Sequence, residues 1–303
     1  MSRHNGRANH PAMLLHRRHL LAAAGAGLLT SCGQGDKPAA KAPEAKDAPP
    51  ILEKVLAGEW RSDADRARDY WRHPRETLGF FGLKPASIVV EFWPGAGWYT
   101  DILAPFLEQT GGRLYAALQP TSPAPDPSTA QMVEMFKRKF GGRKRLYGEI
   151  EFTEFGPMTG PVAPAGTADL VLFLRNVHNW MAGGIAEKAF ADAYAALKPG
   201  GVLGVEEHRA TPGGVQDPMA ASGYVQEAYV KQLAAEAGFA FDAASEINAN
   251  AQDTKDHPFG VWTLPPVRRT SPLGAPPDPA FDRIPFDSIG ESDRMTLRFV
   301  KRA

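Results

Sequence analysis

An apolar run that ends in an acid and runs into a glycine turn, Ile88-Val89-Val90-Glu91-Phe92-Trp93-Pro94-Gly95-Ala96-Gly97-Trp98-Tyr99-Thr100, constrains this chain more than any other stretch. The β-branched residues favour a strand. The glycines favour a tight turn, and the segment after them can become a helix. In that order the elements present bare backbone N–H groups to a nucleotide-like ligand. A glycine turn also closes ordinary βα units, so other residues must agree before it means a ligand.

Strands and helices alternate from residue 87 onward. Ser62-Asp63-Ala64-Asp65 predicts a helix start, with Ser62 as N-cap, running to about Trp71. Pro74 suits the first turn of a second helix that ends near Gly82. A strand at 87–92 and a helix from about Gly97 to Gln109 follow, stopped by Gly111-Gly112. Next come a strand at 114–118, a helix at 128–140 and a strand at 145–152. Asp169-Leu170-Val171-Leu172-Phe173-Leu174 has the continuous apolar character of a strand buried on both faces. A helix over about 184–197 and the turn Lys198-Pro199-Gly200-Gly201 lead to a strand at 202–205. Val225, Tyr229 and Leu233 mark a helix face, closed by Gly238, and a strand at 239–247 follows. Met295, Leu297 and Phe299 alternate as in an edge strand. The pattern is α/β: a doubly wound, mostly parallel sheet with N-terminal helices and a long insertion at about 248–293. Breaks of that length are functional lids or disordered. Trp262 and Leu264 predict that its first half packs down, and the proline-rich 265–287 that its second half runs over the surface.

The front of the chain has a different character. Residues 1–31 contain Arg3, Arg7, Arg17 and Arg18, no acid, and the uncharged run Leu20 to Leu29. That run is too short for a bilayer of ~30 Å. It reads as a signal peptide, and Arg17-Arg18 before it as a twin-arginine export signal. Cys32, the only cysteine, closes Leu29-Thr30-Ser31-Cys32, which resembles a lipobox whose cysteine is lipidated. A lone cysteine excludes a disulfide framework and a multi-cysteine zinc site. Residues 33–50, rich in Pro, Ala, Lys, Asp and Glu, predict a flexible tether, leaving 51–303 as one domain. The expected location is the cell envelope, facing the periplasm, with the membrane reached through the lipid. Without residues 1–31 the formal charge moves from 34 − 34 = 0 to 30 − 34 = −4. No basic face stands out, so nucleic acid is not expected as a partner.

In this order the chain resembles a class I S-adenosylmethionine-dependent methyltransferase. The resemblance is carried by Glu91 to Gly97 after the first strand, by the fourth strand entered at Asp169, and by Leu197-Lys198-Pro199-Gly200-Gly201 before the fifth. More narrowly, Pro94-Gly95-Ala96-Gly97-Trp98-Tyr99, Arg175-Asn176-Val177-His178-Asn179-Trp180 and Glu207-His208-Arg209 are similar to a bacterial group of predicted-methyltransferase lipoproteins of unassigned substrate. The resemblance covers about 55–303. It implies a seven-stranded sheet with an antiparallel last strand and S-adenosylmethionine lying over the first two strands. Glu91, Trp93, Gly95, Gly97 and Asn176 would border the cofactor, and one of Glu149, Glu151 and Glu154, with Glu151 as the candidate, would meet the adenine amine. Two departures stand out. Trp93 occupies the place of the first glycine. The second strand ends in Gln119, where an acid normally grips the ribose hydroxyls, a loss of ~1–3 kcal/mol.

In doubly wound sheets ligands bind beyond the carboxyl ends of the strands. Arg175, Asn176, His178, Asn179 and Trp180 follow the fourth strand there, and Glu206 to Arg209 end the fifth. His178 and His208 are the candidate catalytic bases, because imidazole titrates near neutral pH; each also suits a purely structural hydrogen bond. Trp180 or Tyr99 could pack on the adenine or on a cationic sulfur, or serve with Trp98 as core. Glu207 and Arg209 could simply pair with other charges. His178, Glu207, His208, Asp253, Asp256 and His257 have metal-ligating chemistry, but no diagnostic spacing, and no metal is expected. The leading expectation is methyl transfer to a small molecule by an exported lipoprotein. A binding or scaffold lipoprotein that keeps the fold without the reaction is the alternative, and a metal-assisted enzyme a third reading.

Overall fold

A computed structural model describes residues 49–121 and 126–302. The expected export signal, Cys32 and all but the last two residues of the tether lie outside them. The elements in chain order are α1 Pro50–Leu56, α2 Asp63–Ala67, α3 Asp69–Arg72, α4 Pro74–Phe81, β1 Ile88–Phe92, α5 Thr100–Thr110, β2 Arg113–Leu118, α6 Pro127–Gly141, α7 Lys144–Tyr147, β3 Ile150–Glu154, β4 Ala168–Leu174, α8 Val177–Ala182, α9 Ala186–Ala196, β5 Leu197–His208, α10 Glu227–Glu236, β6 Phe239–Ser245, α11 Ile284–Ile289 and β7 Arg294–Lys301. They form one seven-stranded sheet in the order β3-β2-β1-β4-β5-β7-β6. All neighbours are parallel except β7, which runs against both β5 and β6. This is the Rossmann-like methyltransferase architecture, and the order reverses between β1 and β4, where the crevice beyond the strand ends opens. Among the described residues no helix is long and apolar enough to cross a membrane.

The period-two pleat divides the core. Val90, Phe92, Val171, Phe173, Leu203 and Val205 face one way and pack with Trp180, Phe190, Val230 and Leu233 of α8, α9 and α10. Val89, Leu170, Leu172 and Leu174 face the other way and pack with α1, α4 and α5 through Leu52, Val55, Leu78, Phe81, Ile102 and Phe106. Both faces of β1 and β4 are therefore covered, which is why those two runs carry almost no polar residue. Gly204 in β5 is dictated by this packing, since a Cβ there would overlap the Phe81 ring.

Several expectations shift. The helix expected at 62–71 is two short helices meeting at Arg68, although Ser62 caps the first by accepting from the Asp65 N–H at 3.1 Å. The third strand begins at Ile150, not Arg145. Residues 144–147 make a helical turn that buries Tyr147, whose hydroxyl donates to Asp101 at 2.8 Å. A further helix, α8, follows β4 directly. The last strand is not at an edge: β7 lies between β5 and β6 and is buried on both faces. The insertion behaves as expected in its first half, where Val261 and Leu264 are buried, and Leu273 and Ile284 are exposed in its second half.

The glycine turn separates two uses of glycine. Gly95 and Gly97 both hold positive φ, at 58° and 84°. A Cβ on Gly95 would meet nothing within 4 Å, whereas one on Gly97 would overlap the Phe140 ring of α6. Gly95→Ala should cost about 1 kcal/mol, the left-handed backbone term alone. Gly97→Ala should cost about 2–4 kcal/mol, because a rigid ring must also move. Urea denaturation of the two variants checks this, and equal costs would contradict it.

Candidate functional site

Beyond the carboxyl ends of β4 and β5 lies a cavity of about 230 Å³, lined by Arg72, Arg175, His178, Asn179, His208, Trp262, Glu291 and Ser292 among others. Five separate parts of the chain build it. Arg72 comes from α3, Arg175 and His178 follow β4, His208 ends β5, Trp262 belongs to the insertion, and Glu291 and Ser292 lead into β7. A larger hollow of about 570 Å³ beside Arg209, Lys255 and Asp293 is more open and lies outside this cluster.

Glu206 is fully buried. Its carboxylate accepts from Arg175 Nη1 and the Tyr99 hydroxyl, both at 2.9 Å, and pairs with Arg294 at 3.1 Å. Burial alone would raise its pKa, but the Arg175, Arg294 and Arg72 guanidinium groups hold it below the usual carboxylate range. Glu291 accepts from Nε of Arg68 and Arg72 and from Arg294 at 2.9–3.0 Å. Against burial, those arginines bring it down to about 2. Arg175 adopts φ +59°, a left-handed conformation rare outside glycine, held by its N–H donating to the Glu206 carbonyl at 2.7 Å.

His178 and His208 come together here, with ring centroids 5.2 Å apart. His178 Nδ1 lies 2.9 Å from Glu207 Oε1, and the backbone N–H groups of His178 and His208 also donate to that carboxylate. His208 Nδ1 lies 2.6 Å from Ser292 Oγ. Both Nε2 atoms are free of hydrogen bonds among the described residues. An imidazole oriented by a buried carboxylate with its other nitrogen free is the arrangement of a general base. Burial, then His178 and Arg175, hold His208 well below the ordinary imidazole range, so it is neutral near pH 7. The ligand atoms of His178, Glu207 and His208 lie within 4.8 Å of one another. Zinc ligands sit at ~2.0–2.2 Å from the metal, so the cluster would have to tighten to hold that ion. The remaining members of the expected metal set stand apart: Asp253 is held by His257, Tyr224 and the Asp293 N–H, and Asp256 is exposed.

Beside the glycine turn a separate hollow of about 340 Å³ lies between Ala96 and α6. Trp93, with φ +44°, turns its indole across the strand ends and donates Nε1 to the Phe155 carbonyl at 2.9 Å. The ring packs on Phe155 and Trp180. Beside it the loops after β2 and β3 are joined. Thr121 donates its hydroxyl to Glu154 at 2.6 Å, and a Cβ on Gly156 would lie 2.7 Å from Pro120. Residues at the methionine side suit S-adenosylmethionine: open space above Gly95 and a buried Glu91 oriented by the Thr100 hydroxyl at 2.7 Å. The nucleoside side suits it less, because the Trp93 indole and Pro120 stand beside the strand ends and Gln119 brings no charge.

Other expected residues take different places. Asn176 donates its amide to the Phe92 and Trp93 carbonyls at 3.2 and 3.0 Å, pinning the glycine turn. Gly97 serves the packing of α6. Glu151 is corrected: it lies near the start of β3, beside Arg113 and away from the crevice, because the strand begins later than expected. Of the three acids only Glu154 reaches the carboxyl end, and it binds Thr121. Trp180 is fully buried core, and Trp98 packs beneath the guanidinium of Arg72, 4.7 Å from its ring centroid. Arg209 pairs with Asp293 and Glu246. Arg72, Glu291 and Ser292 were not foreseen. Arg72 and Glu291 meet across 219 residues and Ser292 meets His208 across 84, and no local pattern marks them.

No family model and no curated protein matches the chain. Among solved structures it is similar to a SAM-dependent methyltransferase from Aquifex aeolicus, at 19% identity over 65% of this chain and 93% of that one, with a TM-score of 0.48. It is similar to the [4+2]-cyclase SpnF at 14% identity over 84% and 92%, TM-score 0.49. A geranyl diphosphate C-methyltransferase from Streptomyces coelicolor A3(2) shares 12% identity over 82% and 87%, TM-score 0.49. These likenesses stand beside the fold read from the strand order and carry no conclusion about activity.

Burial raises the Glu91 carboxyl to about 7 from 4.5. The protonated form is the one the fold favours. The stabilisation is complete below pH 4.5, falls as pH rises through about 7, and is absent above. The difference is about 3 kcal/mol. Glu91→Gln should therefore leave stability near pH 4 little changed and raise it at pH 8. Thermal unfolding at the two pH values measures this, and a variant equally affected at both would contradict it.

Proposed function

We propose that the domain is a methyl-transfer enzyme whose acceptor binds in the cavity at the ends of β4 and β5. The observation that carries this is the position of the His178–Glu207 pair. It sits in a half-open cavity lined by charged and polar side chains on one side of the strand-order reversal, while the open turn at Gly95 lies on the other. Tyr99 joins the two halves, since it opens onto α5 from the turn and donates to Glu206 beneath the cavity. S-adenosylmethionine, bound at the turn, would supply the methyl group. The chain's own residues do the rest. Glu207 holds His178 so that Nε2 can take a proton from an acceptor hydroxyl or amine. Arg72, Arg175 and Asn179 orient the acceptor, and Trp262 with Pro265 and Pro266 excludes water. Positioning supplies most of the rate in such a transfer. Export and a lipid anchor at Cys32, supported by the sequence of residues 1–32, belong to the same proposal.

One observation favours a second reading. The indole of Trp93 is tied to the Phe155 carbonyl, and Pro120 packs close to Gly156, beside the strand ends where a nucleoside would lie. If they stay in place, the cavity acts without that cofactor, as a binding site or as an acid–base centre. Calorimetry with S-adenosylhomocysteine separates the readings. Trp93→Gly removes the indole and relieves the left-handed backbone, so it should bind more tightly than the wild type, by up to about a hundredfold. No binding by either protein removes methyl transfer and leaves the second reading. For the anchor, the expressed full chain should incorporate labelled palmitate and lose the label in Cys32→Ser. Equal labelling of both would refute lipidation at Cys32.

A further inference from the structure

Donors that face a cavity take acceptors from whatever fills it, and this cavity presents more donors than acceptors. Arg72 is 4% exposed at its side chain. It bonds Glu291 only through Nε, and its two terminal nitrogens have no hydrogen-bond partner among the described residues. Arg175 bonds Glu206 only through Nη1, so Nη2 and Nε are likewise unpaired. Both side chains line the cavity, as do His178, His208 and the exposed Asn179. The carboxylates facing these groups are already engaged. Glu206 takes Arg175, Arg294 and Tyr99; Glu291 takes Arg68, Arg72 and Arg294; Glu207 takes three N–H groups of the two histidines.

We propose that the cavity takes an oxyanion of the substrate, a carboxylate or a phosphate, held between Arg72 and Arg175 beside the two histidines. A planar guanidinium presents paired N–H groups to such an anion, and an oxyanion brings acceptors and no donors. Burial and the nearby Arg175 lower the Arg72 guanidinium to about 9, an excess of positive potential that a bound anion relieves. The volume of about 230 Å³ is below that of drug-sized sites, which run ~300–1,000 Å³, and suits a small acid. This inference rests on the cavity as the acceptor site, and it holds with or without the methyl donor.

The test is titration of the isolated protein with sodium acetate, inorganic phosphate and the uncharged acetamide, without any methyl donor. It is read by tryptophan fluorescence, because Trp262 lines the cavity, and by calorimetry. Acetate or phosphate should give a saturable change, and acetamide none. A response to acetate alone identifies a carboxylate site, to phosphate alone a phosphate site, and to both a general oxyanion site. Arg175→Gln should abolish the response. That variant also strands Glu206, so Asn179→Asp provides a second route: it places a negative charge at the exposed rim with the ion network intact. It should weaken anion binding by at least about tenfold. No saturable response to either anion in the wild type, an equal response to acetamide, or unchanged affinity in Asn179→Asp would overturn the proposal. Because no methyl donor is present, that failure is distinct from a failure to bind S-adenosylhomocysteine.

Discussion

The carboxyl end of the sheet depends on ion pairs centred on two buried carboxylates, Glu206 and Glu291. Glu206 on β5 joins Arg175 from β4, Arg294 from β7 and Tyr99 from α5, and Glu291 joins Arg68 and Arg72 of the N-terminal helices to the same Arg294. Taking such charges out of water costs several kcal/mol per ion, and their mutual attraction offsets that only when every partner is present. The network is thus weak evidence for stability but strong evidence for geometry. It admits one arrangement of five chain segments, and it holds Arg175 in a backbone conformation that arginine alone would avoid.

That dependence explains which parts of the fold could be read from the sequence. β1 and β4 are legible because both faces meet apolar helices, so the strands are unbroken apolar runs. β7 misleads for the opposite reason. Met295, Leu297 and Phe299 alternate with Arg294, Thr296 and Arg298, which look solvent-facing. Yet Arg294 is buried in the ion network, and Thr296 is buried and accepts from Asn248 at 3.0 Å. A polar residue satisfied by a distant partner has the same letter as one satisfied by water. The third strand fails similarly. Arg145 to Tyr147 has strand-like letters, but Tyr147 is drawn into a helical turn by Asp101, a contact forty-six residues away. The error at Glu151 follows from that one.

The site was legible by position more than by role. The rule that ligands bind beyond strand ends selected Arg175, His178, Glu207 and His208, and the structure places all four around one cavity or directly behind it. What the rule could not supply was the wall contributed by Arg72, Glu291 and Ser292, since these reach the site only through tertiary packing. Asn176 shows the converse. Its position suggested a ligand contact, but its amide is occupied by the carbonyls of Phe92 and Trp93, which makes it a tie between β1 and β4.

Trp93 then sets the relation between the two halves of the crevice, and magnitudes decide how firmly. Moving the indole forfeits one hydrogen bond to Phe155, about 1 kcal/mol net, and edge-to-face contacts with Phe155 and Trp180 of roughly 0.5–1.5 kcal/mol each. Against this, leaving φ +44° recovers ~1–2 kcal/mol if the backbone relaxes. The net cost of opening is on the order of 0–3 kcal/mol. A ligand with micromolar intrinsic affinity contributes ~8 kcal/mol, so the indole does not forbid a nucleoside. It lowers the observed affinity by at most about a hundredfold, in proportion to the fraction of molecules already open. The indole is therefore a thermodynamic threshold. The cavity at the ends of β4 and β5 carries unpaired donors already in place and faces no comparable threshold.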